Sequence, residues 1–269
     1  MEMLSSGCAV GIACTFSAPA GGVLYGIEST SKYFAVKNYW RSFFATTCSA
    51  IVFRFLINLI VPPYIAGTIT AYYQTSFPNE VFVVEEIPIF VFIGLFSGVL
   101  AALFVFLYRY LAKAKDRGLY KRILGRRPVL LTMLSAVAMG FCTYPHLMGE
   151  FIAGKLTFRE TLADFVANCT FSLSGTNSSI GCHPSKLTHW VGSSGTLHPT
   201  FTFVCYMVFN FIFVAHCGSL YIPSGIFVPS FVIGACQGRL IGEIVSMFFP
   251  DGLRGPGGPQ IYPGLYAVV

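Results

Sequence analysis

Charged side chains make up only 10% of these 269 residues, against about 25% in an ordinary soluble domain. With 55% hydrophobic residues, 16% aromatic residues and a mean hydropathy of +0.69, one water-soluble unit of this length has no means of hiding its apolar surface. Disordered and collagen-like chains are excluded on the same numbers, and an integral membrane protein is what remains. A small disulfide scaffold is excluded by the same composition, and the nine cysteines show no Cys-x-x-Cys spacing, which leaves zinc-site and redox readings weak. The five histidines are scattered, and His183 and His189 lie in a loop without further ligands, so no metal is expected. No Ser/His/Asp, metal or paired-carboxylate constellation is present, so an enzyme is not expected. The first residues lack a basic region and a small-residue cleavage site and do not read as a signal peptide.

What charge there is sits unevenly. Eight Lys or Arg and one acid, Asp116, fall within 109–127, a local +7 in a chain of net charge +6. A basic cluster between two apolar runs is a topology signal, not a nucleic-acid footprint, and no nucleic-acid partner is expected. Crossing the hydrocarbon core takes about 20 apolar residues. Six regions qualify: 7–27, 42–61 (with Arg54), 87–107, 128–148, 199–217 and the interrupted 219–250. Arg54 is expected to pair or to face a wet cleft. Placing 109–127 in the cytosol puts 28–41, with Lys32, Lys37 and Arg41, on the same side by alternation. It puts 62–86, with Glu80, Glu85, Glu86 and no Lys or Arg, outside. The polar stretch 149–198 then falls outside as an extracellular loop region. It carries two glycosylation candidates, Asn168-Cys-Thr and Asn177-Ser-Ser, and Cys169 and Cys182 form a candidate pair within it. The chain starts just before one apolar segment and stops in the first turn of another, and it reads as a fragment.

The segment Tyr221-Ile-Pro-Ser-Gly-Ile-Phe-Val-Pro-Ser230 is not an ordinary continuous helix. Pro223 and Pro229 each lack an N–H and clash with a preceding helical turn. Helical spacing resumes afterwards, with Gly234, Gly238 and Gly242 four residues apart, a ladder suited to close approach of a neighbouring helix. The expectation is a helix that begins inside the membrane around 226–229, preceded by extended chain. Its first N–H groups carry the positive end of the helix dipole and need a partner within lipid. Water, neighbouring protein or an anion all satisfy that need, and a plain proline kink reads from the same residues. Ser17-Ala-Pro-Ala-Gly-Gly22 interrupts the first segment as well, and paired interruptions are a pointer to a transport path. One helix terminus contributes about 0.3–2 kcal/mol to a nearby charge, whereas desolvating an ion costs several kcal/mol. Further donors or a wet path are therefore required, and weak, shared coordination is also what permits an ion to leave.

At Pro223-Ser-Gly-Ile-Phe-Val-Pro229 the chain resembles the CLC chloride channel and transporter family, with Gly225 and Pro229 as the fixed points of its Gly-x-Phe-x-Pro pattern and of its helix start. The following Pro229-Ser-Phe-Val-Ile-Gly-Ala-Cys-Gln-Gly-Arg-Leu-Ile-Gly-Glu243 is similar too. So is Ser17-Ala-Pro-Ala-Gly-Gly-Val-Leu-Tyr-Gly-Ile-Glu28 with Phe34-Ala-Val-Lys-Asn-Tyr-Trp-Arg41, which resembles the animal plasma-membrane channel branch. The resemblance implies an all-α membrane fold, an inverted-repeat bundle of tilted and broken helices, with 1–61 part of the first repeat and 87–269 part of the second. It implies a multi-pass homodimer in the lipid bilayer of the plasma membrane, with chloride as permeant ligand contacted by the backbone amides of Ile226 and Phe227, and no cofactor. The family's Gly-Ser-Gly-Ile-Pro loop, its Gly-Lys/Arg-Glu-Gly-Pro gating loop and a later tyrosine are absent here, so this fragment alone is expected not to form a competent pore. At the intracellular acid position, Glu28-Ser29, proton-coupled members usually carry two acids. A serine hydroxyl relays a proton but does not store one near neutral pH, which favours a voltage-gated chloride channel with passive conduction. Glu28 also reads as a solvated partner of Lys32. A proton-coupled chloride antiporter on the same fold is the alternative, and a non-conducting membrane receptor or scaffold the alternative from another class.

Overall fold

The structure, a computed structural model, describes residues 2–30, 36–60, 77, 82–115, 128–144, 148–171, 181–192, 197–220, 224–250, 252–254 and 260–269. Two compact units divide the chain, Met1–Thr75 and Ser76–Val269. Helices form both, and among the described residues β-structure is confined to a single bridge between Thr170 and Gly181.

In the first unit, the apolar run 7–27 is not the single crossing that its hydropathy predicts. It folds as two helices, α1 (Glu2–Phe16) and α2 (Pro19–Thr30), followed by α3 (Val36–Ile60). The break falls at Ser17, whose φ of 54° places it in the left-handed region. Pro19 then opens α2 at a position where its missing N–H costs nothing. At 1.5 Å per residue α1 and α2 are about 22 and 18 Å long, each too short for a hydrocarbon core of about 30 Å. They form an antiparallel hairpin: a Cβ on Gly22 would lie 2.5 Å from the Ala9 carbonyl, and one on Gly26 3.1 Å from the Ala9 Cβ. Small residues thus bring two backbones together, and the Ser5 hydroxyl donates to the Gly26 carbonyl at 3.0 Å. Parallel to α1 runs α3, joined through Ser6–Ser42 hydroxyls at 2.9 Å and Cys14 Sγ–Ser49 Oγ at 2.7 Å.

In the second unit a 3₁₀ turn, Val84–Glu86, leads into α4 (Ile87–Lys115). Then come α5 (Pro128–Thr143), α6 (Phe158–Phe165), α7 (Pro184–Trp190), α8 (Pro199–Gly218), α9 (Phe227–Phe248) and the short α10 (Pro263–Tyr266). The spans Val84–Ala114, Pro199–Gly218 and Phe227–Phe248 are long and apolar enough to cross a membrane. The interrupted region 219–250 yields only one helix, α9, and it is the most enclosed of the three. The Gly234/Gly238/Gly242 ladder is used at two of its rungs. A Cβ on Gly238 would sit 1.9 Å from the Tyr266 carbonyl oxygen, and one on Gly242 2.8 Å from Pro263 Cα, whereas Gly234 has nothing within 4 Å. Hydrogen bonds link the helices: Gln237 Nε2 donates to Ser97 Oγ at 2.9 Å, and His216 Nε2 lies 3.0 Å from Ser135 Oγ.

The polar stretch 149–198, read from sequence as a loop region, contains α6 and α7. The Thr157 hydroxyl caps the Glu160 amide while the Glu160 carboxylate accepts from the Thr157 amide, a reciprocal box that starts α6. Phe165, Trp190 and Phe203 are fully buried against one another, with ring centroids 4.7–5.8 Å apart. Asp164 Oδ2 accepts from the Trp190 indole at 3.1 Å and lies 3.0 Å from His189 Nδ1. Cys169 and Cys182 are disulfide-bonded. Aromatic burial and this cross-link, which a hydropathy scan does not register, fold the segment onto α8 and α9.

Candidate functional site at the start of α9

Gly225 and Ile226 precede α9, which opens at Phe227 with no side-chain cap on Ile226 (φ −101°, ψ −17°). Pro229 sits in the first turn, and Ser230 closes it, its amide donating to the Ile226 carbonyl at 3.0 Å and its hydroxyl to the Phe227 carbonyl at 2.8 Å. Ile226 is 40% and Phe227 36% exposed. Two cavities meet at this point. One, of about 240 Å³, is lined by Ser224, Gly225, Ile226 and Pro229 together with Tyr206 and Asn210 of α8. The other, of about 260 Å³, is lined by Ile226 and Ser230 with Ser97 of α4 and Gln237 of α9. Each has room for several waters. Ile226 thus lines both cavities, and residues 221–223, expected to be extended, lie outside the described set.

Among the described residues, neither cavity has a Lys or Arg in its lining. Arg239, three turns along α9, is fully committed elsewhere. Its Nε donates to Glu243 Oε1 at 3.1 Å, and its terminal nitrogens donate to the carbonyls of Phe165 (3.1 Å), Ala167 (2.6 Å) and Cys169. Glu243 in turn accepts the Phe171 amide at 3.1 and 3.2 Å, and the guanidinium lies 4.8 Å from the Phe171 ring centroid. Arg239 and Glu243 are 0% and 1% exposed. This pair, spaced i, i+4 in an apolar helix, neutralises itself and pins 165–171 to α9. It supplies no net charge to an ion. Sequence reading noted both residues without joining them; an acid and a base one turn apart in an apolar segment is the signal that finds such a pair.

Other sequence-predicted positions are placed as follows. Glu28 and Ser29 are exposed near the C-terminal end of α2, in the first unit, and Lys32 lies outside the described residues. Asn168 is exposed beside the disulfide, and Asn177 lies outside the described residues. Among the described residues no group of three His, Cys, Asp or Glu is placed to hold a metal.

Helices long and apolar enough to cross a membrane, one of them beginning without a side-chain cap beside two cavities, define the class of an integral membrane protein. Residues 1–269 match the family described as voltage gated chloride channel, and the chain belongs to it. It is 41% identical over 281 residues to chloride channel protein clh-3 of Caenorhabditis elegans, 40% over 271 to chloride channel protein 2 of Rattus norvegicus, and 39% over 277 to chloride channel protein 1 of Homo sapiens. All of this chain is covered in each alignment, but it spans only 28%, 29% and 27% of those relatives' lengths. A solved structure described as a eukaryotic CLC transporter superposes with a TM-score of 0.60 at 25% identity, over 99% of this chain and 35% of that one. The fold is therefore that of the family, and the protein is a multi-pass membrane protein.

Proposed function

We propose that the protein containing this chain conducts chloride passively across the plasma membrane as a voltage-gated channel, with the backbone amides of Ile226 and Phe227 contacting the ion. The observation that carries this reading is the start of α9, which has no side-chain cap on Ile226 and where Ile226 lines both cavities, since helix N-termini beside open space suit anions. Among the described residues neither lining has a basic side chain, which suits transit over tight capture. Ser29, where a second acid would store a proton, supports a channel over an exchanger, as do the names of the channel relatives. Chloride is the permeant ligand and no cofactor enters the mechanism; the reading is of a channel, not an enzyme. The rest of the same reading is a homodimer in which 1–61 belongs to one repeat and 87–269 to the next, with 149–198 on the extracellular side and open to glycosylation at Asn168 or Asn177.

Proton-coupled chloride exchange is the second reading, favoured by the structural likeness to a CLC transporter. Reversal potentials of the full-length protein under a pH gradient separate the two: no shift with pH supports the channel, and a shift refutes it. Replacing chloride with a large impermeant anion tests both against a non-conducting receptor or scaffold, which shows no chloride-dependent current. In the same recordings Phe227→Asp, which adds a carboxylate at the helix start, is expected to cut chloride current about tenfold or more, a barrier of at least 1.4 kcal/mol. Unchanged current at normal surface expression refutes the assigned contact.

A further inference from the structure

Asn168 and the Cys169–Cys182 disulfide occupy one tripeptide. The Asn168 side chain is exposed, Cys169 is bonded to Cys182, and Thr170 is 1% exposed. The Thr170 hydroxyl is enclosed without a hydrogen-bond partner among the described residues. Successive backbone groups are held as well: the Cys169 carbonyl accepts from Arg239, the Thr170 carbonyl accepts the Cys182 amide at 3.1 Å, and the Phe171 amide donates to Glu243. An Asn-x-Thr acceptor is read at both ends, the amide and the hydroxyl two residues on. Here the asparagine faces out and the threonine faces in, so one transferase site has no access to both. The folded, cross-linked segment presents no usable acceptor, although the exposed Asn168 leaves room for a glycan that is already attached.

We propose that Asn168 is a glycosylation site open only until the Cys169–Cys182 bond closes, so that the order of the two modifications sets its occupancy. In one step the Asn168 amide nitrogen bonds to the anomeric carbon of a polyprenyl-pyrophosphate oligosaccharide; the carbon–oxygen bond to pyrophosphate breaks, and the amide releases one proton. In the competing step the two thiols give up two protons and two electrons to a disulfide-bearing oxidoreductase, which leaves as its dithiol. Closure of the bond brings the Thr170 carbonyl onto the Cys182 amide and carries the hydroxyl inward. The inference rests on the extracellular placement of 149–198 proposed above.

The test uses the full-length protein made in a eukaryotic secretory pathway, with Asn177→Gln removing the second acceptor and endoglycosidase-sensitive mobility as readout. Partial occupancy is expected in that background. Cys182→Ser is the informative variant, because substituting Cys169 would also alter the acceptor's middle residue. It is expected to raise the glycosylated fraction about twofold or more. Dithiothreitol present during synthesis is expected to do the same to the unsubstituted cysteines, a measurement independent of any folding defect in the variant. Thr170→Ala should abolish the shift. Lys155→Asn, which creates an acceptor with Leu156 and exposed Thr157, reports sidedness by itself. An unmodified reporter overturns the extracellular placement and the proposal with it. A modified reporter overturns the ordering alone if Asn168 is fully occupied in the background, or if its occupancy moves with neither Cys182→Ser nor reductant.

Discussion

Arg239→Met tests whether the enclosed ion pair holds the second unit together. The substitution keeps an apolar chain of similar length in a site that is 0% exposed. It removes the donors to Glu243 Oε1 and to the carbonyls of Phe165, Ala167 and Cys169. Glu243 then remains as a buried carboxylate that has lost its guanidinium partner and keeps the Phe171 amide. Breaking a buried pair from one side costs about 3–5 kcal/mol, because the surviving charge has no counterpart. Glu243→Gln is milder, about 1–3 kcal/mol: the amide oxygen still accepts, and the guanidinium keeps its carbonyls. The double variant Arg239→Met with Glu243→Leu removes the orphaned charge and should recover part of the loss. Recovery should stay incomplete, since the carbonyls and the Phe171 amide still lack partners. Arg239→Lys should fail as well, because one ammonium does not reproduce a planar fork of five donors. Denaturation midpoints of the detergent-purified full-length protein, together with surface expression, give the order: wild type, then Glu243→Gln, then the double variant, then Arg239→Met. Arg239→Met within about 0.5 kcal/mol of wild type, or a double variant less stable than Arg239→Met, would refute the reasoning.

Gly238→Ala forces a methyl to within 1.9 Å of the Tyr266 carbonyl oxygen, a backbone atom, and should cost about 1–3 kcal/mol through overpacking. Gly234→Ala meets open space and should be neutral or gain up to about 1 kcal/mol from helix propensity; equal effects in the same denaturation assay would refute the packing argument. At the start of α6, the backbone amide and hydroxyl of Thr157 hold the Glu160 carboxyl below the usual carboxylate range. A depressed folded value means that this cap contributes above the ordinary value of about 4.3 and is lost as pH falls through the folded one. Amide protection over 158–161, taken relative to the intrinsic exchange rate at each pH, should therefore fall on acidification, and Glu160→Gln should remove most of that dependence.

Much of the architecture follows from composition, since 10% charge and apolar runs of membrane length leave few alternatives. The prolines around 219–230 pointed to a broken segment because a residue with no N–H and a fixed φ is tolerated in the first turn of a helix but not in its interior. Pro19 and the paired glycines marked an interruption near Ser17 too, but the uncharged run still read as one crossing, and the hairpin did not show. Hydropathy measures transfer into lipid and is indifferent to a single left-handed residue. The Gly234/Gly238/Gly242 ladder announced close packing but not its partner, which proved to be the short α10 segment at two rungs and empty space at the third.

Sequence alone determined the membrane class, the family and the interrupted segment that begins α9, because these rest on local properties: hydrophobicity, proline geometry and a contiguous motif. Tertiary structure decided that Arg239 is spent on Glu243 and the carbonyls of 165–169 rather than on an ion, that 149–198 folds around Trp190, and that Asn168 and Thr170 face opposite ways. Those outcomes depend on groups about 70 residues apart meeting where water is excluded, and at that range the cost of leaving a buried charge or amide unpaired selects the arrangement.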